Sequence, residues 1–228
     1  LMRRAGFGAT RRELDDYVAK GYQTTLEELL DYSCPGSMSE DLIRRYHSEQ
    51  STAFESGSAG DYWLYQLIST NDPLREKMTL FWHNVFATGY SKVTVGKVMS
   101  DQIRMFRKYG MGNYKTLLLE LSKDPAMMIW LDNVDNHSGA INENYGRELL
   151  ELFSMGVGNY SEEDIKQCSR AFTGWTVANT EYTKQLAVRN SIWPYGKISW
   201  RFEYKSEDHD EGEKNFLGET GNFNGDDV

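Results

Sequence analysis

The hydrophobic period of the sequence changes near Gly174, and this change constrains the fold more than any other feature. Before it, apolar residues recur at helical spacing behind capping signals such as residues 10–13 (TRRE) and 71–73 (NDP). After it, residues 198–204 (ISWRFEY) alternate strictly between apolar and polar, which is the period of a half-buried strand. The pattern predicts a mainly α protein: a multi-helix orthogonal bundle with a small β-hairpin near the C-terminal end.

Turn and capping signals divide the chain into predicted elements. Residues 25–28 (TLEE) form a second capping-box pattern and predict a helix that opens at Leu26. The strand at 198–204 is expected to pair with residues 186–193 across the turn at 194–197 (PYGK). Further helices are predicted over 73–87, 96–109, 114–123, 125–131, 142–155 and 161–173.

We expect one domain over residues 1–228, truncated at both ends. The sequence begins without an initiator Met or an apolar signal segment, and residues 224–228 have the pattern of a helix opening that does not continue. Within this domain, residues 1–173 are predicted to form a helical core. Residues 174–228 are predicted to form the β-hairpin and an acidic loop.

Composition and charge exclude several classes of protein. The 25 Lys and Arg residues against 34 Asp and Glu residues give a formal net charge of −9, which argues against a nucleic acid or an anionic membrane as the main partner. No window approaches the ~18 consecutive apolar residues of a membrane span. Cys34 and Cys168 allow one disulfide or two free thiols, so the cysteine count does not indicate the compartment.

The helix predicted at 73–87 places a histidine in an apolar setting. On a helical wheel, Leu74, Phe81 and Val85 share one face, and His83 lies on the opposite side among other apolar residues. A helix that is apolar nearly all round is expected to be buried. His83 is then either a neutral core histidine that donates to a backbone carbonyl, or a ligand or proton partner in a site.

The helix predicted at 142–155 places Glu148 at the edge of its apolar stripe, which the wheel assigns to Tyr145, Leu149 and Leu152. An ionised carboxylate in that position needs a partner, a metal or a proton. Glu148 and Glu151 stand at i and i+3, so the pair can bind a divalent cation or act as acid and base. The alternative is a buried network that braces helices, formed with Arg147, Arg170 or Arg201.

A third candidate is the loop at 208–212 (DHDEG), directly after the predicted strand. His209 and Asp210 offer an imidazole nitrogen and a carboxylate, which are both metal ligands. Loops on a rigid scaffold often carry function. An acidic solvated loop is the alternative interpretation.

Several stretches resemble a bacterial family catalogued as domain of unknown function 1800. The matching stretches are residues 3–10 (RRAGFGAT), 73–78 (PLREKM), 81–88 (FWHNVFAT), 142–153 (NENYGRELLELF), 156–160 (GVGNY), 173–175 (TGW) and 209–210 (HD). The resemblance implies that the chain corresponds to the N-terminal half to two thirds of the family domain. It also implies a bacterial, extracytoplasmic protein, periplasmic or secreted, often encoded beside a sulfatase-like partner. It implies no established reaction.

Two functions from different classes stay open. The first is a secreted hydrolase of a polymer or peptide, either metal-assisted through a divalent ion or carboxylate-driven. Its candidate catalytic residues are Glu148, Glu151, His83 and Arg147. Its candidate metal ligands are His83, Glu148, His209 and Asp210. Its candidate substrate contacts are Trp82, Asn84, Asn144 and Trp175.

The second function is a non-catalytic helical scaffold or accessory protein that binds a cell-surface or sulfatase-like partner. The same motifs then form a polar network that fixes how the helices pack, and such a network must satisfy its hydrogen bonds internally. The two hypotheses differ in geometry, because the enzyme requires His83, Glu148 and His209 to converge.

Overall fold

A computed structural model describes residues 1–31, 56–93, 96–179 and 200–228, and it confirms a mainly α fold with a small antiparallel sheet near the C-terminal end. The helices are α1 (Met2–Ala5), α2 (Arg11–Lys20), α3 (Tyr22–Leu30), α4 (Ser56–Ser69), α5 (Pro73–Val85), α6 (Gly96–Tyr109), α7 (Tyr114–Ser122), α8 (Pro125–Trp130), α9 (Asn144–Glu148) and α10 (Glu162–Ala171). A π-helix, Leu149–Ser154, continues α9. None of the described helices is both long enough and apolar enough to span a bilayer.

Side-chain caps begin several helices where the sequence predicts them. Thr10 accepts from the Glu13 amide and Glu13 accepts from the Thr10 amide, which closes the predicted capping box of α2. Asp72 and Asp124 cap α5 and α8 with a single bond, each accepting from the backbone amide three residues on, in front of a proline at the first helical position. These local signals fix where the helices start.

The second predicted capping box is wrong. Helix α3 begins at Tyr22, and its N-cap is Gly21 with φ 84°, a left-handed conformation that glycine adopts without strain. The Thr25 hydroxyl instead donates to the Gly21 carbonyl oxygen at 2.8 Å, and Thr25 is buried. The residue therefore lies inside the first turn of a helix that starts earlier than predicted.

The sheet near the C-terminal end pairs β1 (Trp175–Asn179) with β2 (Trp200–Tyr204) in antiparallel register. The predicted partner of β2 at 186–193, and the turn at 194–197, lie outside the described residues. A second short hairpin pairs β3 (Lys214–Phe216) with β4 (Glu219–Gly221). The strand predicted by alternation is thus present, and its described partner directly follows α10.

The sheet shares the main hydrophobic core with the helices. Phe172, just after α10, contacts Tyr145 and Trp175 edge to face, with 5.0 Å between ring centroids in both pairs. Trp175 then contacts Phe202 of β2 at 4.9 Å. One row of aromatic side chains therefore runs from α9 into the sheet. The division into a helical core over residues 1–173 and a C-terminal part over residues 174–228 stays a prediction.

Helix α5 is not buried all round, contrary to the sequence expectation. Phe81 is 49% exposed and Val85 39% exposed, whereas Glu76 and Thr79 are buried. Glu76 receives two hydrogen bonds from Arg107 of α6, at 2.5 and 3.0 Å. The ion pair between Glu76 and Arg107 therefore lies in the contact between α5 and α6. Part of the apolar side of α5 faces solvent instead.

Candidate functional site

The π-helix Leu149–Ser154 determines which side chains of the 142–153 motif face the core. Its hydrogen bonds span one residue more than those of an α-helix, as in the bond from the Met155 amide to the Leu150 carbonyl oxygen at 3.0 Å. The predicted position of Leu152 in the core is therefore wrong: it is 66% exposed, and Phe153 is buried in its place. Single π-turns inside helices occur frequently at functional sites.

Two carboxylates lie at this junction. Glu148 is half-buried at the last position of α9, and among the described residues it makes no hydrogen bond or ion pair. Burial raises the pKa of the Glu148 carboxyl, and the negative charge of Glu151 raises that pKa further. Glu151 accepts a hydrogen bond from the Tyr160 hydroxyl at 3.3 Å. The pair is therefore a carboxyl group with a raised pKa beside a second carboxyl group that accepts a hydrogen bond from a phenol.

The predicted catalytic Arg147 is engaged elsewhere. Its guanidinium donates to both carboxylate oxygens of Glu162, at 3.0 and 2.7 Å, and lies 3.5 Å from Glu143. This ion pair holds the pKa of the Glu162 carboxyl below its usual range. The charge of Arg147 lowers the pKa of Glu148 less than burial and Glu151 raise it.

His83 lies in an aromatic setting on α5. Its ring contacts Trp63 of α4 edge on, with 5.2 Å between ring centroids, and faces Phe106 of α6 at 6.4 Å. Burial lowers the pKa of the imidazole, so the neutral form is favoured. Its Nδ1 atom is buried and has no hydrogen-bond partner among the described residues. At that atom, His83 therefore does not make the bond to a backbone carbonyl that is expected of a neutral core histidine.

The neighbours of His83 in the motif divide into one packing residue and one surface residue. The Trp82 indole donates to the Gly110 carbonyl oxygen at 2.6 Å and stacks on Phe86, with 5.4 Å between ring centroids. Asn84 is exposed. Trp82 therefore joins α5 to the end of α6.

His209 and Asp210 belong to a polar network that joins α10 to the loop after β2. The His209 Nδ1 atom donates to the Thr173 carbonyl oxygen at 2.9 Å, and the residue is buried. Arg170 binds both carboxylate oxygens of Asp210, at 2.7 and 2.9 Å, and lowers the pKa of that carboxyl to about 2. The ammonium of buried Lys214 donates to the Asp210 carbonyl oxygen at 2.5 Å.

Two of the predicted substrate contacts have structural partners. Trp175 is only 2% exposed and packs between Phe172 and Phe202, so its ring is not presented as a platform for a ligand. The Asn144 side-chain amide donates to Asp132 at 3.2 Å, at the start of α9. Both residues hold elements of the fold together.

The described residues do not fit a metal centre. No group of three or more His, Cys, Asp and Glu side chains among them is placed to hold an ion. The four predicted ligands lie in three separate environments: His83 among aromatic rings, Glu148 beside Glu151, and His209 with Asp210 in the Arg170 network. The structure does not bring His83, Glu148 and His209 together as the metal hypothesis requires.

The structure adds a histidine that sequence reasoning did not select. His137 Nδ1 lies 2.5 Å from Asp208 Oδ2, and the Ser138 amide donates to the other oxygen of that carboxylate at 3.2 Å. The imidazole lowers the pKa of the Asp208 carboxyl. The two partners are 71 residues apart, and no local pattern links them.

The described part of the chain contains one of the two cysteines. Cys168 is buried in α10, and burial raises the pKa of its thiol to about 12. Cys34, the other cysteine of the two alternatives, lies outside the described residues.

Comparison with known proteins gives a family but no characterised relative. Neither the search of curated proteins nor the search of solved structures found a match. A family model described as "Protein of unknown function (DUF1800)" matches residues 1–228. The share of the family domain that these residues represent stays a prediction. The chain belongs to the DUF1800 family of proteins of unknown function.

Proposed function

We propose that the chain is a non-catalytic helical scaffold or accessory protein that binds a partner protein. The observation that carries this proposal is the internal use of the predicted ligands His209 and Asp210. The His209 Nδ1 atom is bound by the Thr173 carbonyl oxygen, and both Asp210 carboxylate oxygens are bound by Arg170. Groups that are already satisfied inside the fold have little capacity left for a metal or substrate.

The energetics of buried polar groups support the same interpretation. Lys214 and His209 are buried, and a buried polar group costs free energy unless its hydrogen bonds are made within the protein. The Thr173 carbonyl oxygen accepts from His209, and the carbonyl oxygens of Asp210 and Gly212 accept from Lys214. On this proposal, the motif at 209–210 fixes how α10 meets the sheet. The family resemblance suggests a sulfatase-like partner and an extracytoplasmic location.

A second candidate is a carboxylate-driven hydrolase that acts on a polymer or peptide. Glu148 favours it, because a half-buried carboxyl with a raised pKa beside a second carboxylate has the arrangement of a general acid and base. Glu148 would donate the proton and Glu151 would activate water. This version uses carboxylates alone, because the predicted metal ligands are not gathered.

One set of variants separates the two candidates. The proteins are the wild type, Glu148→Gln, His83→Ala, Asp210→Asn and, as a control for the loss of one exposed carboxylate, Glu163→Gln. Each is assayed for bound metal by elemental analysis, for thermal stability, and for hydrolysis of a panel of peptides, polysaccharides and esters. The scaffold proposal predicts no turnover and no stoichiometric metal. It also predicts a clear loss of stability in Asp210→Asn, which takes the carboxylate partner away from the Arg170 charge.

Glu148→Gln is the decisive variant for catalysis. It removes a carboxyl group that has no hydrogen bond or ion pair among the described residues and that repels Glu151, so we expect its melting temperature to equal or exceed that of the wild type. Turnover in the wild type that disappears in Glu148→Gln at unchanged stability would overturn the scaffold proposal in favour of the hydrolase. One equivalent of bound metal that disappears in His83→Ala would overturn it in favour of a metal enzyme.

The accessory role is tested by calorimetric titration with a purified sulfatase-like protein, the class of partner that the family resemblance suggests. Saturable binding supports it. The absence of binding at 100 µM would count against that partner and against the accessory role.

A further inference from the structure

The surface around the π-helix has an excess of negative charge. Glu148 and Glu151 interact unfavourably with each other, and Glu143 and Glu162 lie on either side of Arg147. Arg147 is already shared between the last two carboxylates. Within the described part of the chain, Glu148 has neither a hydrogen bond nor an ion pair that would compensate its charge.

Exposed apolar side chains follow both of the inner carboxylates along the helix. Leu152 is 66% exposed and lies four residues beyond Glu148, within one turn of the π-helix. Met155 is 36% exposed and follows Glu151 by the same number of residues. We call these four residues, Glu148, Glu151, Leu152 and Met155, the acidic–apolar surface.

The acidic–apolar surface is unfavourable to the isolated protein in two ways. Two like charges at the edge of the core raise the free energy of the ionised state. Two large apolar side chains in water forgo the gain from burial. A single occupant relieves both costs if it brings a cation to the carboxylates and an aliphatic group to Leu152 and Met155.

We propose that the acidic–apolar surface is a docking site for a segment of a partner protein in which a lysine or arginine is flanked by aliphatic residues. This inference rests on the proposed accessory function and names the surface and the partner chemistry that serve it. Charge complementarity favours such a segment, because the basic group meets two neighbouring carboxyl groups that form no ion pair among the described residues, on a chain of net charge −9. Arginine suits the pair best, because its planar fork can contact two carboxylates together.

The test uses a fluorescein-labelled pentapeptide with one arginine between two leucines and glycine at both ends. Its binding to the whole chain is followed by fluorescence anisotropy at low salt. Two matched peptides serve as controls: one replaces arginine by citrulline, which keeps the shape and removes the charge, and one replaces both leucines by glycine. We expect saturable binding of the first peptide and at least tenfold weaker binding of each control.

Three variants test whether the peptide binds at the acidic–apolar surface. Glu148→Gln is expected to weaken the arginine peptide about tenfold, and Leu152→Ser roughly fivefold. Glu163→Gln removes an exposed carboxylate from α10 and is expected to leave the affinity unchanged. Equal binding of the citrulline peptide, or equal affinity in Glu148→Gln and wild type, would overturn the proposal. Concentration-dependent dimerisation of the wild type that Leu152→Ser abolishes would also overturn it, because the occupant would then be a second copy.

The outcomes distinguish this inference from the proposed function. Binding of the sulfatase-like protein that Glu148→Gln and Leu152→Ser leave unchanged would preserve the accessory role and reject this surface. Specific binding of the peptide by a chain that also hydrolyses it would reject the non-catalytic role and keep the surface as a substrate site.

Discussion

The carboxyl of Asp124 is expected to make the stability of this protein strongly dependent on pH. Asp124 caps α8 and is buried, and its Oδ2 atom accepts from the Gln102 side-chain amide at 2.7 Å and from the Met127 amide at 2.9 Å. Burial nevertheless raises the pKa of this carboxyl from 3.8 to about 7. Gln102 is neutral, so no cation offsets the desolvation of the charged form.

The size of the effect follows from linkage. The folded protein holds the Asp124 proton more tightly than the unfolded chain does, so the free energy of unfolding falls as the pH rises from about 4 to about 7. A difference of about three pKa units corresponds to about 4 kcal/mol over that whole range. Roughly 2–3 kcal/mol of it falls between pH 5 and pH 8.

The perturbation is Asp124→Asn, which does not titrate and keeps an oxygen that can accept from the Met127 amide. Urea denaturation at pH 5 and pH 8 gives the free energy of unfolding of each protein. We subtract the free energy of unfolding of the wild type from that of Asp124→Asn. We expect this difference to be larger at pH 8 than at pH 5 by roughly 2–3 kcal/mol. Asp72→Asn makes the same substitution at the cap in front of Pro73, where the carboxylate also pairs with Arg75 at 2.8 Å, and controls for the change of a capping side chain.

A change of less than about 1 kcal/mol in that difference would refute the argument. It would mean that the Asp124 carboxyl is ionised in the folded protein near neutral pH. Its two hydrogen bonds would then compensate for the burial in full.

Two further predictions concern packing and an ion pair. Gly146→Ala is expected to lower the free energy of unfolding, measured by urea denaturation, by about 1–3 kcal/mol, because the new Cβ would lie 2.3 Å from Ser169 Oγ. Gly60→Ala should stabilise the protein instead, because nothing lies within 4 Å of its new Cβ. Equal effects of the two substitutions would contradict this packing argument. In the wild type, Arg170 holds the pKa of Asp210 at about 2, so the stabilisation that this carboxylate gives above pH 4 is lost as the pH falls. Asp210→Asn is therefore expected to make the free energy of unfolding depend less on pH below pH 4. An unchanged dependence would contradict this argument.

Local signals in the sequence predict the helices well, because a cap acts within one turn. The pattern at 71–73 identifies Asp72 as a cap, and the structure places α5 immediately after it. The failure at Thr25 is also local: the left-handed Gly21 offers an earlier start, and nothing in the TLEE pattern excludes one. The helix boundaries are thus predictable to within a few residues.

The candidate site is less predictable, because its geometry depends on the π-helix and on distant partners. No residue type between 149 and 154 marks a change of hydrogen-bond spacing, so the wheel placed Leu152 in the core where Phe153 lies. The contact between His137 and Asp208 joins segments 71 residues apart. The prediction that Glu148 lies at a boundary depends only on α9, where the wheel still holds.

The wide turn at Leu149–Ser154 has a consequence for how this helix tolerates changes in length. One residue more than an α-turn needs is taken up there, and the surplus side chain, Leu152, projects into solvent while Phe153 fills the core. A chain that lacks Leu152 would need only an ordinary α-turn to keep Phe153 in place. The helix can therefore lose one surface residue at this point without disturbing the hydrophobic contacts on its inner side.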